Sequence, residues 1–274
     1  MQFVIWEVVM KPVFVESIGV VTEGIVSWAD ARNKFTGVDA YTPAPIPRYK
    51  PQLLPANERR RATEMVRLAF NVCEQAVNAS DISAKSMGSV FASSGGDYHV
   101  LDQISKTLAT PEKMVSPTQF HNSVHNSAAG YWGIASESQA ASSSISSFDT
   151  SFFSGMLEAA IQVTTTEEPI LLAVYDSAPP FPLNLKRKIN TPFACCFLLT
   201  PEKIQGSISQ LELSMAPYGK SETQLDSLVF ESLRLDNPAA RALPVLMAIA
   251  NQKNEVVYIN GPGDQQLKIR ISAC

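Results

Sequence analysis

Residues 142–153 read Ser142-Ser143-Ser144-Ile145-Ser146-Ser147-Phe148-Asp149-Thr150-Ser151-Phe152-Phe153. The stretch 142–147 is small-sided, interrupted only by Ile145, and free of Pro and Gly, which predicts a buried strand of small residues. From residue 150 to 163 the apolar side chains Phe152, Phe153, Met156, Leu157 and Ala160 recur at helical spacing, which predicts a helix with that stripe inward. A buried strand that turns sharply into a buried helix is a favourable mount for a nucleophile. The helix N-terminus offers unpaired N–H groups and a partial positive charge there. The residue at this turn is Asp149. Asp is a preferred N-cap, so its plain reading is a capping carboxylate.

Outward from the turn, strands and helices alternate. Residues 13–21 and 86–93 read as strands, the second closed by Ser94-Gly95-Gly96. The runs 169–176 and 193–199 are apolar throughout, as strands covered on both faces are. Residues 206–215, 256–259 and 267–271 complete the strands, with the turn Gly261-Pro262-Gly263 between the last two. Helices are predicted over 27–35, 57–78, 100–108, 223–235 and 238–251. A further helix over 126–134 is rich in small residues and suits close packing against a neighbour. The proline-rich 42–55 and the basic 179–192 are loops. This order predicts an α/β fold with a largely buried sheet.

The 274 residues suffice for one large α/β domain or two small ones. Hydrophobic residues make up 45% and charged residues 18%, a charge-poor composition that fits a surface partly covered by another chain. Net charge is −4 and no Lys/Arg-rich face is evident, which excludes nucleic acid as the partner. The one basic run, Arg59-Arg60-Arg61, is a solvated helix face or a docking point for an acidic protein. Cys73, Cys195, Cys196 and Cys274 fit neither a disulfide framework nor a zinc site. The first three read as small core residues in a reducing compartment. No apolar run approaches the ~20 residues of a spanning helix. Residues 1–10 lack the basic start of a signal peptide, and Met10 reads as a natural start with the ordered pattern after it. A cytoplasmic protein without membrane insertion, metal or cofactor is expected. His121 and His125 are spaced as a helical metal pair. A third ligand is missing nearby, and Asn122 and Asn126 point to a hydrogen-bonded cluster instead. Ser94-Gly95-Gly96-Asp97 lacks the lysine of a phosphate loop and reads as a turn.

The turn resembles the β-ketoacyl synthases of the thiolase superfamily, whose Ser-Ile-x-Thr-Ala-Cys-(Ala/Thr)-(Ser/Gly) pattern carries the nucleophilic cysteine. Ser144, Ile145, Ser147, Thr150 and Ser151 agree with it, and Asp149 falls at the cysteine. The opening strand and Gly19-Val20-Val21-Thr22 are similar to that family as well. So are residues 115–134 (VSPTQFHNSVHNSAAGYWGI) and the strand and turn over 194–203. The run Phe120-His121-Asn122-Ser123-Val124-His125-Asn126 resembles most the short ketosynthase-like chain-length factors, some of them in aryl polyene clusters.

The resemblance implies a thiolase-like layered α/β fold with a mixed, mostly buried sheet. Residues 1–274 would form one ketosynthase-like domain, with a first half over 12–203 and a shortened second half over 204–274. The family condenses acyl thioesters with a cysteine and two histidines from its second half. Here His99, His121 and His125 all precede the turn and none follows. The resemblance therefore implies a non-catalytic subunit that pairs with a full-length β-ketoacyl-ACP synthase and shapes its acyl tunnel. The acyl carrier protein would come through that partner. Phe120, His121, His125, Tyr131, Trp132, Phe148 and Asp149 are the expected interface and tunnel residues. The alternatives are a stand-alone acyl-transfer or decarboxylating enzyme using Asp149, and an acyl-binding homodimer.

Overall fold

The computed structural model describes residues 8–217 and 219–274. Their strands are β1 (Val8–Val9), β2 (Val13–Thr22), β3 (Gly88–Ala92), β4 (Ser142–Ile145), β5 (Ile170–Asp176), β6 (Phe193–Thr200), β7 (Ser209–Pro217), β8 (Glu255–Asn260) and β9 (Gln265–Ala273). The helices are α1 (Trp28–Phe35), α2 (Ala56–Arg61), α3 (Glu64–Asn78), α4 (Tyr98–Leu108), α5 (Pro117–Asn122), α6 (Ser127–Ser136), α7 (Ser151–Thr166), α8 (Leu228–Asp236) and α9 (Leu243–Ala250). The strands form one sheet in the order β4-β3-β5-β6-β2-β7-β9-β8, with β1 added on β7. β3 pairs in parallel with β4 and β5, and the remaining pairs are antiparallel.

β5 and β6 show why the centre of the sheet reads as unbroken apolar sequence. Ile170, Leu172 and Val174 enter one core with Phe193, Cys195, Phe197 and Leu199. Leu171, Ala173 and Tyr175 enter the opposite core with Ala194, Cys196 and Leu198. Side chains alternate sides along a strand, so a strand covered twice must be apolar at every position. α1, α7, α8 and α9 supply the first core, and α3 and α6 the second. The result is a three-layer αβα arrangement. β7, β8 and β9 extend the sheet and give their apolar residues to the first core only. Their other face carries polar groups such as the Arg270–Glu212 ion pair.

Several expectations are corrected. The helix over 57–78 is two helices. Ala62 is extended with ψ 128°, and the Thr63 side chain accepts from Val66 N to cap α3 anew. The helix over 223–235 begins only at Leu228, because Thr223 bonds β8 through both its backbone N–H and its hydroxyl. Residues 239–242 form a 3₁₀ turn before α9. Val8 and Val9, before Met10, pair with β7; residues 1–7 lie outside the described residues. The serine strand is not buried: β4 is an edge strand, with Ser142 exposed and its other residues half-buried. No helix among the described residues is long and apolar enough to cross a membrane.

Candidate functional site

The chain turns from β4 into α7 over Ser146–Thr150. The serines here build the turn. Ser146 Oγ donates to Ser94 O at 3.0 Å, tying the turn to the end of β3. Thr150 Oγ1 donates to Ser147 O at 2.7 Å, and Ser151 Oγ to Phe148 O at 2.8 Å. Phe148 has φ +49°, a left-handed conformation that a bulky residue adopts at a cost of ~1–3 kcal/mol. The tight serine bonds on both sides hold it there.

Asp149 does not cap α7, contrary to its plain reading: the helix has no side-chain cap. Its carboxylate instead accepts from Arg187 Nη1 at 2.5 Å. The Arg187 guanidinium also stacks on the Phe148 ring, 3.9 Å from its centroid. Arg187 comes from the 179–192 loop, which the sequence marked as basic without assigning it a role. Nothing in the local spacing pairs residues thirty-eight apart. Phe148, Asp149, Lys186, Arg187, Lys188 and Arg241 line a cavity of about 280 Å³ beside the turn.

A second carboxylate lies nearby at the end of β5. Asp176 is fully buried, and its Oδ1 accepts from Ser93 Oγ (3.0 Å), Ser94 N (2.9 Å) and Ser94 Oγ (2.8 Å). Its Oδ2 has no hydrogen-bond partner, nor do Nε and Nη2 of Arg187. Burial pushes the Asp176 carboxyl up to about 6, against the downward pull of the Ser94 and Ser93 hydrogen bonds and the Arg187 charge. The unfolded chain thus releases this proton at lower pH than the folded one. Stability is highest below the unfolded pKa and falls as pH rises through the folded value near 6, by up to about 3 kcal/mol. Asp176→Asn is expected to flatten the stability profile between about pH 4 and 6, measured by denaturant unfolding across that range. A wild-type slope retained in the variant would refute this.

The other expected site residues divide. Phe120 and Phe148 are exposed, whereas Tyr131 and Trp132 point into this chain's own core. Tyr131 Oη donates to Asn122 Oδ1 at 3.0 Å, and Asn122 Nδ2 to Arg61 O at 2.9 Å, so the Asn122 side chain joins Tyr131 to the end of α2. Trp132 meets Phe70 edge-on at 5.4 Å. His121 lies on α5 with its ring edge-on to Tyr131. His125 lies past the end of that helix, and its Nε2 is 3.0 Å from Ser93 O. The two histidines therefore do not share a helix face. The described residues hold no His/Cys/Asp/Glu group arranged for a metal ion. Burial pushes the Cys195 thiol up, so it stays protonated in the core.

The mixed sheet between helices, with a strand-to-helix turn at the end of its parallel strands, defines a thiolase-like fold, with Asp149 at that turn. Residues 28–261 match the β-ketoacyl synthase N-terminal domain family, to which the chain belongs. No curated protein matches it by sequence. Among solved structures it is similar to the complex "Ketosynthase (ApeO) in Complex with its Chain Length Factor (ApeC)" of Xenorhabdus doucetiae, at 20% identity and TM-score 0.69. That match covers 94% of this chain and 98% of the other. The ishigamide ketosynthase/chain length factor is similar at 9% identity and TM-score 0.73, over 96% and 99% of the two chains. AntDE:AntF, a type II polyketide ketosynthase with its acyl carrier protein, is similar at 14% identity and TM-score 0.73, over 97% and 100%.

Proposed function

We propose that the chain is a non-catalytic, chain-length-factor-like subunit. It pairs with a complete β-ketoacyl-ACP synthase in fatty-acid or aryl polyene-type synthesis and shapes that partner's acyl tunnel. We read 12–203 and 204–274 as two parts of one domain, working in the cytoplasm, with the carrier protein arriving through the partner. The observation that carries this reading is the Asp149 carboxylate at the strand-to-helix turn, held by Arg187. An acyl group on that carboxylate would be a mixed anhydride, a high-energy species, and Arg187 holds one of its two oxygens. Two of the similar structures are ketosynthase/chain-length-factor assemblies, which supports the pairing.

The open edge at β4 supports a partner physically. Ser89 N bonds Ala141 O and Ser93 N bonds Ile145 O, so alternate residues of β4 face β3. Ser142 and Ser144 therefore turn their backbone groups outward, an unpaired edge that invites another strand. Interfaces of the obligate kind bury about 2,000 Å² or more. Ser144→Pro removes an outward N–H and no ladder bond, and an edge strand tolerates proline. Co-purification with a co-expressed ketosynthase is expected to fall by at least about tenfold in this variant, while its own melting temperature stays unchanged. A wild-type chain that remains monodisperse and ignores every co-expressed ketosynthase would overturn the reading.

A further inference from the structure

A groove of about 670 Å³ opens on another part of the surface, between the loop before α2 and the first turns of α3 and α4. Its volume lies in the range of small-molecule sites. Ile46, Met65, Leu68 and Val100 give it an apolar lining, and Arg48, Arg60 and Arg67 give it charge. A shallower depression of about 340 Å³ shares Arg48, Tyr49, Arg60 and Arg67 with it and adds Lys50 and Arg59. On a chain of net charge −4 this is a concentration of cations in one concavity.

The charges are only loosely neutralised. Nε of Arg48 and Nε of Arg67 each lie 3.7 Å from the same oxygen, Glu64 Oε1, beyond hydrogen-bond range. The Arg67 guanidinium is fixed in place by donating to Arg59 O at 2.9 Å and Tyr49 O at 3.5 Å, yet its buried Nε has no hydrogen-bond acceptor. Arg60 donates to Asn57 Oδ1 and Ala56 O, neither of which carries charge. The other lining carboxylate, Asp97, is spent capping α4 through His99 N and Val100 N. Two arginines thus converge on one exposed carboxylate that satisfies neither, above an apolar floor.

We propose that this groove binds a small amphiphilic anion: a carboxylate or phosphate head between Arg48, Arg60 and Arg67, with a short apolar chain over Leu68 and Val100. The Glu64 carboxylate is a weak internal stand-in for the head and is displaced by it. Guanidinium–oxyanion bonds set the orientation, and the floor rewards an apolar body.

Isothermal titration calorimetry of the full chain with octanoate, octyl phosphate, octanol and inorganic phosphate tests it. At least one of the two amphiphiles is expected to bind, the better one identifying the head group. Octanol and inorganic phosphate are each expected to bind at least about tenfold more weakly. The surface double variant Arg48→Gln/Arg60→Gln is expected to lose about tenfold in affinity while unfolding at the same temperature. Glu64→Gln is expected to bind several-fold more tightly, a sign that loss of structure would not produce. Octanol matching octanoate, inorganic phosphate matching octyl phosphate, or unchanged or weaker binding by Glu64→Gln would overturn the proposal.

Discussion

Asp149→Cys makes no β-ketoacyl product from acyl and malonyl thioesters when assayed as the isolated chain, and neither does the wild type. Three requirements separate a thiol at this turn from a working condensing site. The thiol must ionise or find a base. The thioester oxyanion must meet donors, and the carbanion left by decarboxylation must be stabilised. In the family those last tasks fall to two histidines of the second half, and no histidine follows His125 in this sequence. His125 is engaged with Ser93 O, and His121 is packed against Tyr131. Each missing donor of this type typically costs ~10²–10³ in rate, so loss of both leaves turnover below detection. Arg187 would lose its partner in the variant and favour a thiolate. The introduced thiol is therefore expected to react with iodoacetamide faster than a surface thiol does, without condensation. Measurable ketoacyl product from either protein alone would show that the site is catalytic after all.

The centre of the molecule was legible in the sequence because its strands are covered on both faces. A run such as residues 170–174 has no polar position to confuse with a helix stripe. The turn at Asp149 was legible for a different reason: small hydrogen-bonding side chains flank it on both sides. What escaped was every feature made by distant segments. The Asp149–Arg187 pair joins a turn to a loop, and neither local pattern announces the other. β4 was read as buried because serines are small, but a small side chain fits an edge as well as a core. Only the sheet order decides between them. The break at Ala62–Thr63 escaped because the apolar periodicity runs on through it, whereas the Thr63 cap depends on backbone angles. The resemblance groups residues 120–132 as one interface stretch. The end of α5 at Asn122 and the start of α6 at Ser127 turn them in different directions.

That division of residues 120–132 sets apart two substitutions. Trp132 is 2% exposed and packs on Phe70 beneath α3, whereas Phe120 is 69% exposed on α5. Trp132→Ala opens a cavity in a core that cannot collapse around it, so it costs about 3–5 kcal/mol. For a chain of this size that lowers the melting temperature by roughly 10 °C or more, and assembly with a ketosynthase falls with the folded fraction. Phe120→Ala leaves the stability of the isolated chain within about 0.5 kcal/mol of wild type. Any change it makes to product length therefore reports on the tunnel and not on folding. A growing acyl chain gains about 0.8 kcal/mol for each buried methylene. It extends until a bulky side chain blocks it, and overpacking then costs roughly 1–3 kcal/mol, enough to slow the next extension by about one or two decades. If Phe120 stands at the end of the partner's tunnel, the Phe120→Ala heterodimer makes longer products at unchanged assembly. Mass spectrometry of carrier-bound products, read beside the melting curves of both variants, separates the roles. Longer products from Phe120→Ala with an unaltered melt place the gate on α5. Products of unchanged length remove Phe120 from it. A Trp132→Ala chain that melts like the wild type would mean that this core yields more readily than its packing implies.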